Sequence, residues 1–258
     1  IVGHTNGNLG GQTRTGSRDA FIVDASCPVH FDWAVKGGGT GDDRGRGVVY
    51  GDGKVFISGT FGGTATFGST SLTSAGDLDI YFAALNPNSG AYLWAVRVGA
   101  SGEDQQLSPH PIEYGDGKLF ATGQISGNTA FGSTTLTGRG FFVSALNVSD
   151  QSFIWAVKIA DGGSFGTGVA LGDGKLFVVG EFEGTSTCGS ATVTSSGSED
   201  VFISALNPTN GACIWSVKGG GSGRDEAYSV VFHGGTVYVT GFIYSTDATF
   251  GNTTLAAT

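Results

Sequence analysis

Four tryptophans divide the chain into nearly equal intervals, and this regularity constrains the fold more than any other feature. Trp33, Trp94, Trp155 and Trp215 lie 61, 61 and 60 residues apart and begin the segments WAVKGGG, WAVRVGA, WAVKIAD and WSVKGGG. Self-similarity at a fixed period of this size is the sequence signature of a repeat architecture. The four tryptophans therefore represent one structural position, and we predict that they pack in the core of each repeat.

Three further markers recur with the same period. One is a turn segment, GDGKVF at 51–56 and GDGKLF at 115–120 and 172–177, with a degenerate copy, GGTVY, at 234–238. Another is a Thr-rich segment, TATFGSTSLTS at 64–74, NTAFGSTTLTG at 128–138, STCGSATVTS at 186–195 and DATFGNTTLA at 247–256. The last leads into the tryptophan, as in DIYFAALNPNSGAYLW at 79–94. The repeat units are about 1–36, 37–97, 98–158, 159–218 and 219–258, with partial units at both ends.

Each repeat is predicted to form two β-hairpins. In the first, Asp-Gly lies between two apolar runs, which is a strong hairpin signal because the tight turn requires positive φ. The second hairpin turns at Asn86-Pro-Asn-Ser-Gly90, a segment rich in turn-forming residues. The chain also has 47 glycines, which disfavour helix interiors. Repeats of four short strands indicate an all-β fold, a β-propeller or an arc of one, with about four blades of about 61 residues.

The order of these motifs resembles a known family. Asp-x-Phe-x-x-x-Leu, Gly-x-x-x-Trp-Ala-x-Lys, Gly-Gly-x-x-x-Asp, Asp-Gly-x-x-Phe-x-x-Gly and Phe-Gly-x-Thr-x-Leu-Thr together are similar to the SBBP repeat, a β-propeller repeat common in extracellular and cell-surface proteins. The resemblance covers essentially the whole chain. It implies a propeller and an extracellular or cell-surface location, and it implies no single reaction or ligand, because fold analogy does not establish activity.

The ends of the chain leave the ring size open. Residues 1–18 fall in the same part of the repeat as residues 238–258, a part that four closed blades need only once. The sequence is therefore compatible with an arc of a larger propeller, with a piece of a longer chain, or with a four-bladed ring whose end overlaps. The chain has no methionine, so we expect Ile1 to follow a processing site or a preceding segment.

Charge and hydropathy exclude two classes of partner. With 13 basic and 22 acidic residues, the net charge of −9 repels phosphate backbones, so we predict no nucleic acid partner. No apolar run approaches the roughly 18 residues of a membrane span, so we predict no direct membrane insertion.

The three cysteines show no metal-binding spacing. Cys188 stands where other repeats have phenylalanine, so we predict a buried, unpaired and inert thiol. Cys27 lies at a turn and Cys213 on a strand, and we predict no disulfide among the three. Cys27 remains available to a chain segment outside this sequence.

Two aspartates recur in three of the four repeats and are lost together in the third, which suggests that they share a neighbourhood. Phe165 stands at the later position in that repeat. The six aspartates either accept hydrogen bonds from turns or hold a hard cation such as Ca²⁺ through their oxygens. We favour the first role because no Asp-x-Asp-x-Asp-Gly loop occurs. The candidates are Asp19, Asp43, Asp79, Asp104, Asp200 and Asp225.

Other candidate sites depart from the repeat. Asn147 and Asn252 begin N-glycosylation sequons. Pro109, His110 and Pro111 lie on a longer loop that is a candidate partner contact.

The repeats carry no asymmetric group of acids, bases or nucleophiles, so we predict no catalytic residues and no cofactor beyond the calcium alternative. The favoured function is a non-enzymatic extracellular structural or adhesive scaffold that binds protein subunits or cell-surface and matrix components. The alternative is a glycan-binding propeller with equivalent pockets between blades. An enzyme is the third hypothesis, and the sequence offers it no residue constellation.

Overall fold

The computed structural model describes residues 1–5, 13, 15–26, 30–106 and 110–257 as strands and turns only. No helix in these ranges is long and apolar enough to cross a membrane. The chain divides into two compact units, Ile1–Gln106 with Ser126–Ala130, and Leu107–Ile125 with Phe131–Thr258. The all-β prediction is confirmed.

The first part of the chain forms a five-stranded sheet of order β1-β2-β3-β6-β7 and a four-stranded sheet of order β4-β5-β8-β9. The strands are β1 (Val2–Thr5), β2 (Asp19–Ser26), β3 (His30–Gly39), β4 (Arg44–Gly51), β5 (Lys54–Phe61), β6 (Thr64–Phe67), β7 (Thr70–Thr73), β8 (Asp79–Leu85) and β9 (Tyr92–Val98).

The remaining strands are β10 (Ile112–Gly115), β11 (Lys118–Ser126), β12 (Thr129–Phe131), β13 (Thr134–Leu136), β14 (Arg139–Asn147), β15 (Phe153–Asp161), β16 (Phe165–Gly172), β17 (Lys175–Phe182), β18 (Thr185–Cys188), β19 (Ala191–Thr194), β20 (Asp200–Leu206), β21 (Cys213–Gly219), β22 (Asp225–His233), β23 (Thr236–Ile243), β24 (Ala248–Phe250) and β25 (Thr253–Leu255). They form four-stranded sheets of order β10-β11-β14-β15 and β16-β17-β20-β21, the pair β22-β23, and small hairpins β12-β13, β18-β19 and β24-β25.

Each four-stranded sheet is a blade, and its first hairpin forms at the predicted Asp-Gly turn. Asp52 and Gly53 have φ values of 47° and 66°, and Gly51 pairs with Lys54 across the turn. Positive φ at both central residues is what a type I′ turn requires, and its twist matches that of the flanking strands. The same pair of positive φ values recurs at Asp116-Gly117 and Asp173-Gly174.

The inner strands are buried on both faces, which explains their continuous apolar runs. All seven residues of β8 are buried, and so are seven of the eight residues of β17. A sheet with one solvent-facing side would alternate apolar and polar residues instead. Each blade therefore packs with apolar side chains on both of its faces.

The recurring tryptophans make the same contact in three blades. The ring of Trp94 lies 6.0 Å from that of Phe56 at 41°, and Trp155 and Trp215 repeat this on Phe120 and Phe177 at 6.1 Å, with angles of 42° and 43°. Trp155 is buried, whereas the other three tryptophans are half-buried. We conclude that these aromatic pairs are a packing element of the repeat.

Two tryptophans also join successive repeats. The indole N–H of Trp33 donates to the carbonyl oxygen of Pro87 at 2.7 Å, and that of Trp155 donates to Pro208 at 3.2 Å. A Cβ at Gly90 would lie 2.5 Å from the Trp33 ring, so the turn that receives this indole requires glycine. The tryptophans thus connect repeats as well as fill them.

Candidate functional site

The recurring aspartates form three equivalent structures, which we call Asp clamps. Each Asp clamp consists of an aspartate where the third strand begins, a glycine at or just after the fourth strand, and an aspartate before or at the start of the next repeat's first strand. All six aspartates are fully buried. The Asp clamps are Asp19–Gly38–Asp43, Asp79–Gly99–Asp104 and Asp200–Gly220–Asp225.

The glycine is required because the carboxylates approach its Cα closely. A Cβ at Gly38 would lie 2.7 Å from Oδ2 of Asp43 and 3.0 Å from Oδ1 of Asp19. A Cβ at Gly99 would lie only 2.2 Å from Oδ1 of Asp79. The two aspartates of a clamp therefore share one neighbourhood, as their joint loss in the third repeat suggests.

The first aspartate of each clamp accepts hydrogen bonds from a turn N–H and from a basic side chain. Oδ2 of Asp79 accepts the backbone N–H of Ala75 at 2.9 Å and Nη1 of Arg97 at 2.6 Å. The same two kinds of donor reach the other first aspartates. Asp19 accepts the backbone N–H of Thr15 and Nζ of Lys36. Asp200 accepts the backbone N–H of Ser196 and Nζ of Lys218.

The second aspartate ties its own repeat to the preceding one. Oδ2 of Asp104 accepts the N–H of Ala100 at 2.6 Å, and Oδ1 accepts the N–H of Ser126 at 2.8 Å. The backbone N–H of Asp104 donates to the carbonyl of Leu78, just before the first aspartate, at 2.8 Å. Asp225 repeats this arrangement with Gly221, Tyr244 and Glu199.

Burial is the largest influence on the pKa of two clamp aspartates, Asp43 and Asp79. Desolvation raises the pKa of Asp43 to about 6, against the hydrogen bond from Gly39, and the neighbouring Asp19 charge acts in the same direction as burial. Desolvation also raises the pKa of Asp79, opposed by the Ala75 N–H and by Arg97. The described ranges contain no group of three or more His, Cys, Asp or Glu side chains placed to hold a metal ion. Most clamp oxygens accept hydrogen bonds from N–H donors, which fits the turn-bonding role, while Oδ1 of Asp79 and of Asp200 is buried with no hydrogen-bond partner among the described residues.

The third repeat replaces every member of the clamp. Strand pairing equates Gly140 with the first aspartate, and Ala160 stands in place of the glycine. The expectation that Phe165 holds the second position is wrong, since Gly166 pairs with Gly180 as Gly45 pairs with Gly59, which places Ser164 there. The linker after Trp155 is one residue shorter, and this shifts the register.

Ser164 keeps part of the aspartate's function. Its hydroxyl donates to the carbonyl of Asp161 at 2.7 Å and accepts the N–H of Glu183 at 3.3 Å. The strands β14 and β15 have nine residues each, compared with seven in β8 and β9 and with eight and ten in β2 and β3.

The cysteine prediction is wrong. Cys188 and Cys213 form a disulfide with a Cα–Cα distance of 5.3 Å, so Cys188 is neither unpaired nor a free thiol. The hairpin β18-β19 packs against β21, and this brings the two side chains together. Cys188 is buried as predicted. Cys27 lies outside the described residues.

The departures from the repeat occupy ordinary structural positions. Oδ1 of Asn147 accepts the N–H of Ser149 at 3.0 Å, and Asn86 and Asn207 make the same turn with the residue two positions on. Asn252 is exposed between β24 and β25. His110 is exposed and its carbonyl accepts the N–H of Val169 at 3.3 Å, Pro111 is buried, and Pro109 lies outside the described residues.

Sequence analysis missed a polar cavity in the second unit. Two buried glutamates, Glu181 and Glu226, contact the guanidinium of Arg224 at 3.3 Å and 2.8 Å. The residues that stand at the position of Glu181 in the preceding repeats are Thr60 and Gln124. This departure from the repeat was the available signal, but it gains meaning only when the strand register places Glu226 and Arg224 beside it.

The sheets and the joints between them define the class of the molecule, an all-β repeat protein of propeller-type blades. No protein-family model matches the chain, and no curated protein sequence matches it. Among solved structures it is similar to a europium-containing methanol dehydrogenase, at 12% identity over 77% of this chain with a TM-score of 0.44. It is also similar to BamB from Moraxella catarrhalis, at 14% identity over 89% of this chain with a TM-score of 0.37. The chain spans 38% of the dehydrogenase and 66% of BamB.

Proposed function

We propose that this protein is a non-enzymatic extracellular scaffold that assembles with protein subunits or surfaces through the outer edges of its blades. The observation that carries the proposal is a recurring exposed aliphatic side chain. Leu93, Ile154 and Ile214 each directly precede a repeat tryptophan on the fourth strand and are 50%, 43% and 50% exposed.

The recurrence distinguishes these residues from ordinary surface side chains. Single exposed apolar residues are common on proteins and need no explanation. Here the same strand position is exposed and aliphatic in three successive repeats, while the tryptophan beside it is buried or half-buried. A partner that packs along blade edges would bury one such side chain per blade, and covering the exposed half of each would contribute roughly 0.7–1.5 kcal/mol.

Two further observations support the scaffold. The polar residues that recur, those of the three Asp clamps, are bonded within the fold and give three of the four repeats the same structural joint. The Cys188–Cys213 disulfide suits an oxidising compartment, where such bonds form and persist. The disulfide agrees with the extracellular location that the repeat resemblance implies.

The test is a triple variant in which Leu93, Ile154 and Ile214 are each changed to Ser. We expect the wild-type protein to associate with increasing concentration in sedimentation velocity and to adsorb to an alkyl-coated sensor. The triple variant should do neither. Its free energy of unfolding, measured by thermal denaturation, should stay within about 0.5 kcal/mol per substituted site of the wild-type value.

A matched control changes Val48 and Leu255 to Ser, since these are 43% and 44% exposed but lie away from the fourth strands. The control should behave like the wild type. A wild-type protein that neither associates nor adsorbs, or a triple variant that behaves like it, would contradict the proposal.

The alternative of a glycan-binding propeller with pockets at Asp79 and Asp200 has less support. Both side chains are fully buried and bonded to turn N–H groups and basic side chains, so a glycan in solvent cannot reach them.

A further inference from the structure

A cavity of about 240 Å³ lies in the second unit beside β16, β17 and β22. Its wall combines two aromatic side chains, Phe165 and Tyr228, with Thr167 and the polar side chains of Glu181, Arg224 and Glu226. Glu181 and Glu226 are 6% and 5% exposed, whereas the side chain of Arg224 is 50% exposed. Buried acceptors therefore lie behind a guanidinium that reaches the solvent.

The polar groups hold one another in fixed orientations. Nη2 of Arg224 contacts the two oxygens of Glu181 at 3.3 and 3.4 Å, and Nε contacts Oε1 of Glu226 at 2.8 Å. The hydroxyl of Tyr228 donates to Oε2 of Glu226 at 2.5 Å. A connected network of this kind is oriented before any ligand arrives, which lowers the entropic cost of binding.

The network still has hydrogen-bonding capacity. Each ionised carboxylate has about four acceptor positions, and a guanidinium has five N–H donors. The contacts above engage two of the three Arg224 nitrogens, Nη2 and Nε, and one position on each carboxylate oxygen. A ligand with several hydroxyl groups, each both donor and acceptor, can use the remainder without breaking what is already formed.

Charge narrows the ligand class. An anion would meet Glu181, Glu226 and also Glu199, whose Oε2 lies 3.8 Å from Nε of Arg224. A cation would find each oxygen of the two buried carboxylates already bonded to Arg224 or Tyr228. A purely apolar ligand would strip water from carboxylates and offer nothing in return. A neutral hydroxylated ring fits, with its C–H face on Tyr228 and its hydroxyls on the network.

The site is unique among the equivalent positions that the structure describes. Strand pairing places Arg44 and Phe165 at the position of Glu226, and Thr60 and Gln124 at the position of Glu181. The cavity is therefore not part of the repeated packing, which needs neither glutamate.

From this geometry we infer that the cavity lined by Glu181, Arg224, Glu226 and Tyr228 binds one neutral pyranose unit. This inference is independent of the assembly function, because none of the exposed fourth-strand residues lines the cavity. Binding to a single ring is expected to be weak, with a Kd in the range of about 0.1–10 mM.

The probes are the methyl glycosides of glucose, galactose, mannose and N-acetylglucosamine, titrated by saturation-transfer NMR, with methylguanidinium and sulfate as charged comparators. We expect at least one glycoside to bind saturably and neither ion to compete with it. Glu181→Gln and Tyr228→Ala should each weaken binding about tenfold or more.

Two controls separate the site from the surface. Glu183→Gln alters an exposed glutamate two residues after Glu181, and Tyr238→Ala alters an exposed tyrosine that does not line the cavity. Both should bind like the wild type. Tyr228 is itself 37% exposed, so its loss tests binding without threatening the fold. The inference is overturned if no glycoside binds up to its solubility limit, if methylguanidinium or sulfate binds at the cavity instead, or if Glu181→Gln and Tyr228→Ala bind normally.

Discussion

Cys188 and Cys213 are joined across two positions that hold a pair of touching aromatic rings in the preceding repeats. Phe67 and Tyr92 occupy these positions in one repeat with ring centroids 5.8 Å apart, and Phe131 and Phe153 occupy them in the next at 5.2 Å. A covalent bond has replaced an edge-to-face aromatic contact between the Thr-rich hairpin and the fourth strand. The two cysteines changed together because each faces the other.

The disulfide should contribute more to stability than the ring pair. It closes a loop of 25 residues, for which the chain-entropy model gives about 3.5 kcal/mol. We expect the Cys188→Ser, Cys213→Ser double variant to lose about that much in urea unfolding. The Cys188→Phe, Cys213→Phe variant should recover part of the loss, because it restores the aromatic pair of the other repeats. Equal stability of the wild type with and without reductant would contradict this expectation.

Gln151 is a second position where the repeat points to a stabilising change. It has a φ of 60° where the equivalent Gly90 and Gly211 have 68° and 72°. A side chain in the left-handed region costs roughly 1–2 kcal/mol, so Gln151→Gly should raise the free energy of unfolding by about 1 kcal/mol. The reverse change, Gly211→Gln, should lower it by more, since a Cβ there would lie 2.7 Å from the Trp155 ring. Chemical denaturation gives the free energy of unfolding of both variants. A Gln151→Gly protein that is less stable than the wild type would count against this account.

The Asp clamps predict a sharp difference between two glycines. Gly99→Ala places a methyl group 2.2 Å from Oδ1 of Asp79, and we expect a loss of about 2–3 kcal/mol. Gly163→Ala is the matched control, because its Cβ would meet nothing closer than 3.9 Å. Thermal and urea unfolding should show the control within about 0.5 kcal/mol of the wild type. If both variants unfold alike, the clamp does not hold the joint.

The buried Glu181 predicts a pH dependence with a definite sign. Burial raises its pKa from 4.5 to about 7, with Arg224 opposing and Glu226 reinforcing the shift. The folded state thus binds more protons than the unfolded state between these values, so this group's contribution to the free energy of unfolding falls as pH rises from about 4.5 to about 7. A shift of this size corresponds to on the order of 3 kcal/mol as an upper bound.

Glu181→Gln removes that titration. The difference in unfolding free energy between the variant and the wild type should move in favour of the variant from pH 5 to pH 8. Glu183→Gln, which changes an exposed glutamate, should show no such drift. A constant difference between Glu181→Gln and the wild type across this range would refute the assignment.

What the sequence predicted well depends on local chemistry or on repetition. The turn at Asp52-Gly53 follows from two adjacent residues whose backbone preferences allow one tight hairpin geometry. The prediction that the four tryptophans occupy equivalent positions follows from their regular spacing alone. Repetition also indicated that the two aspartates of a clamp are neighbours, because they vanish together from the third repeat.

What the sequence did not predict depends on contacts between strands far apart in the chain. The disulfide needs β18 to fold back against β21, and alignment with Phe67 and Tyr92 would have revealed it only if the ring contact were already known. Ser164, and not Phe165, occupies the position of the second clamp aspartate, because the linker after Trp155 is one residue shorter and the strand register shifts. Glu181 and Arg224 meet although 43 residues separate them, and no local pattern connects them.

The missing Asp clamp of the third repeat also has a mechanical consequence. Each complete clamp holds its joint with a buried carboxylate that accepts several N–H groups, whereas at Ser164 the hydroxyl makes two hydrogen bonds and the carbonyl accepts Nε2 of Gln124 at 3.0 Å. Within the second unit, the joint at Ser164 is therefore expected to yield before the joint at Asp225 when the chain is pulled. When the chain is pulled from its ends, we expect β15 and β16 to separate before that clamped joint does. The third repeat would then be the site where mechanical unfolding of this unit begins.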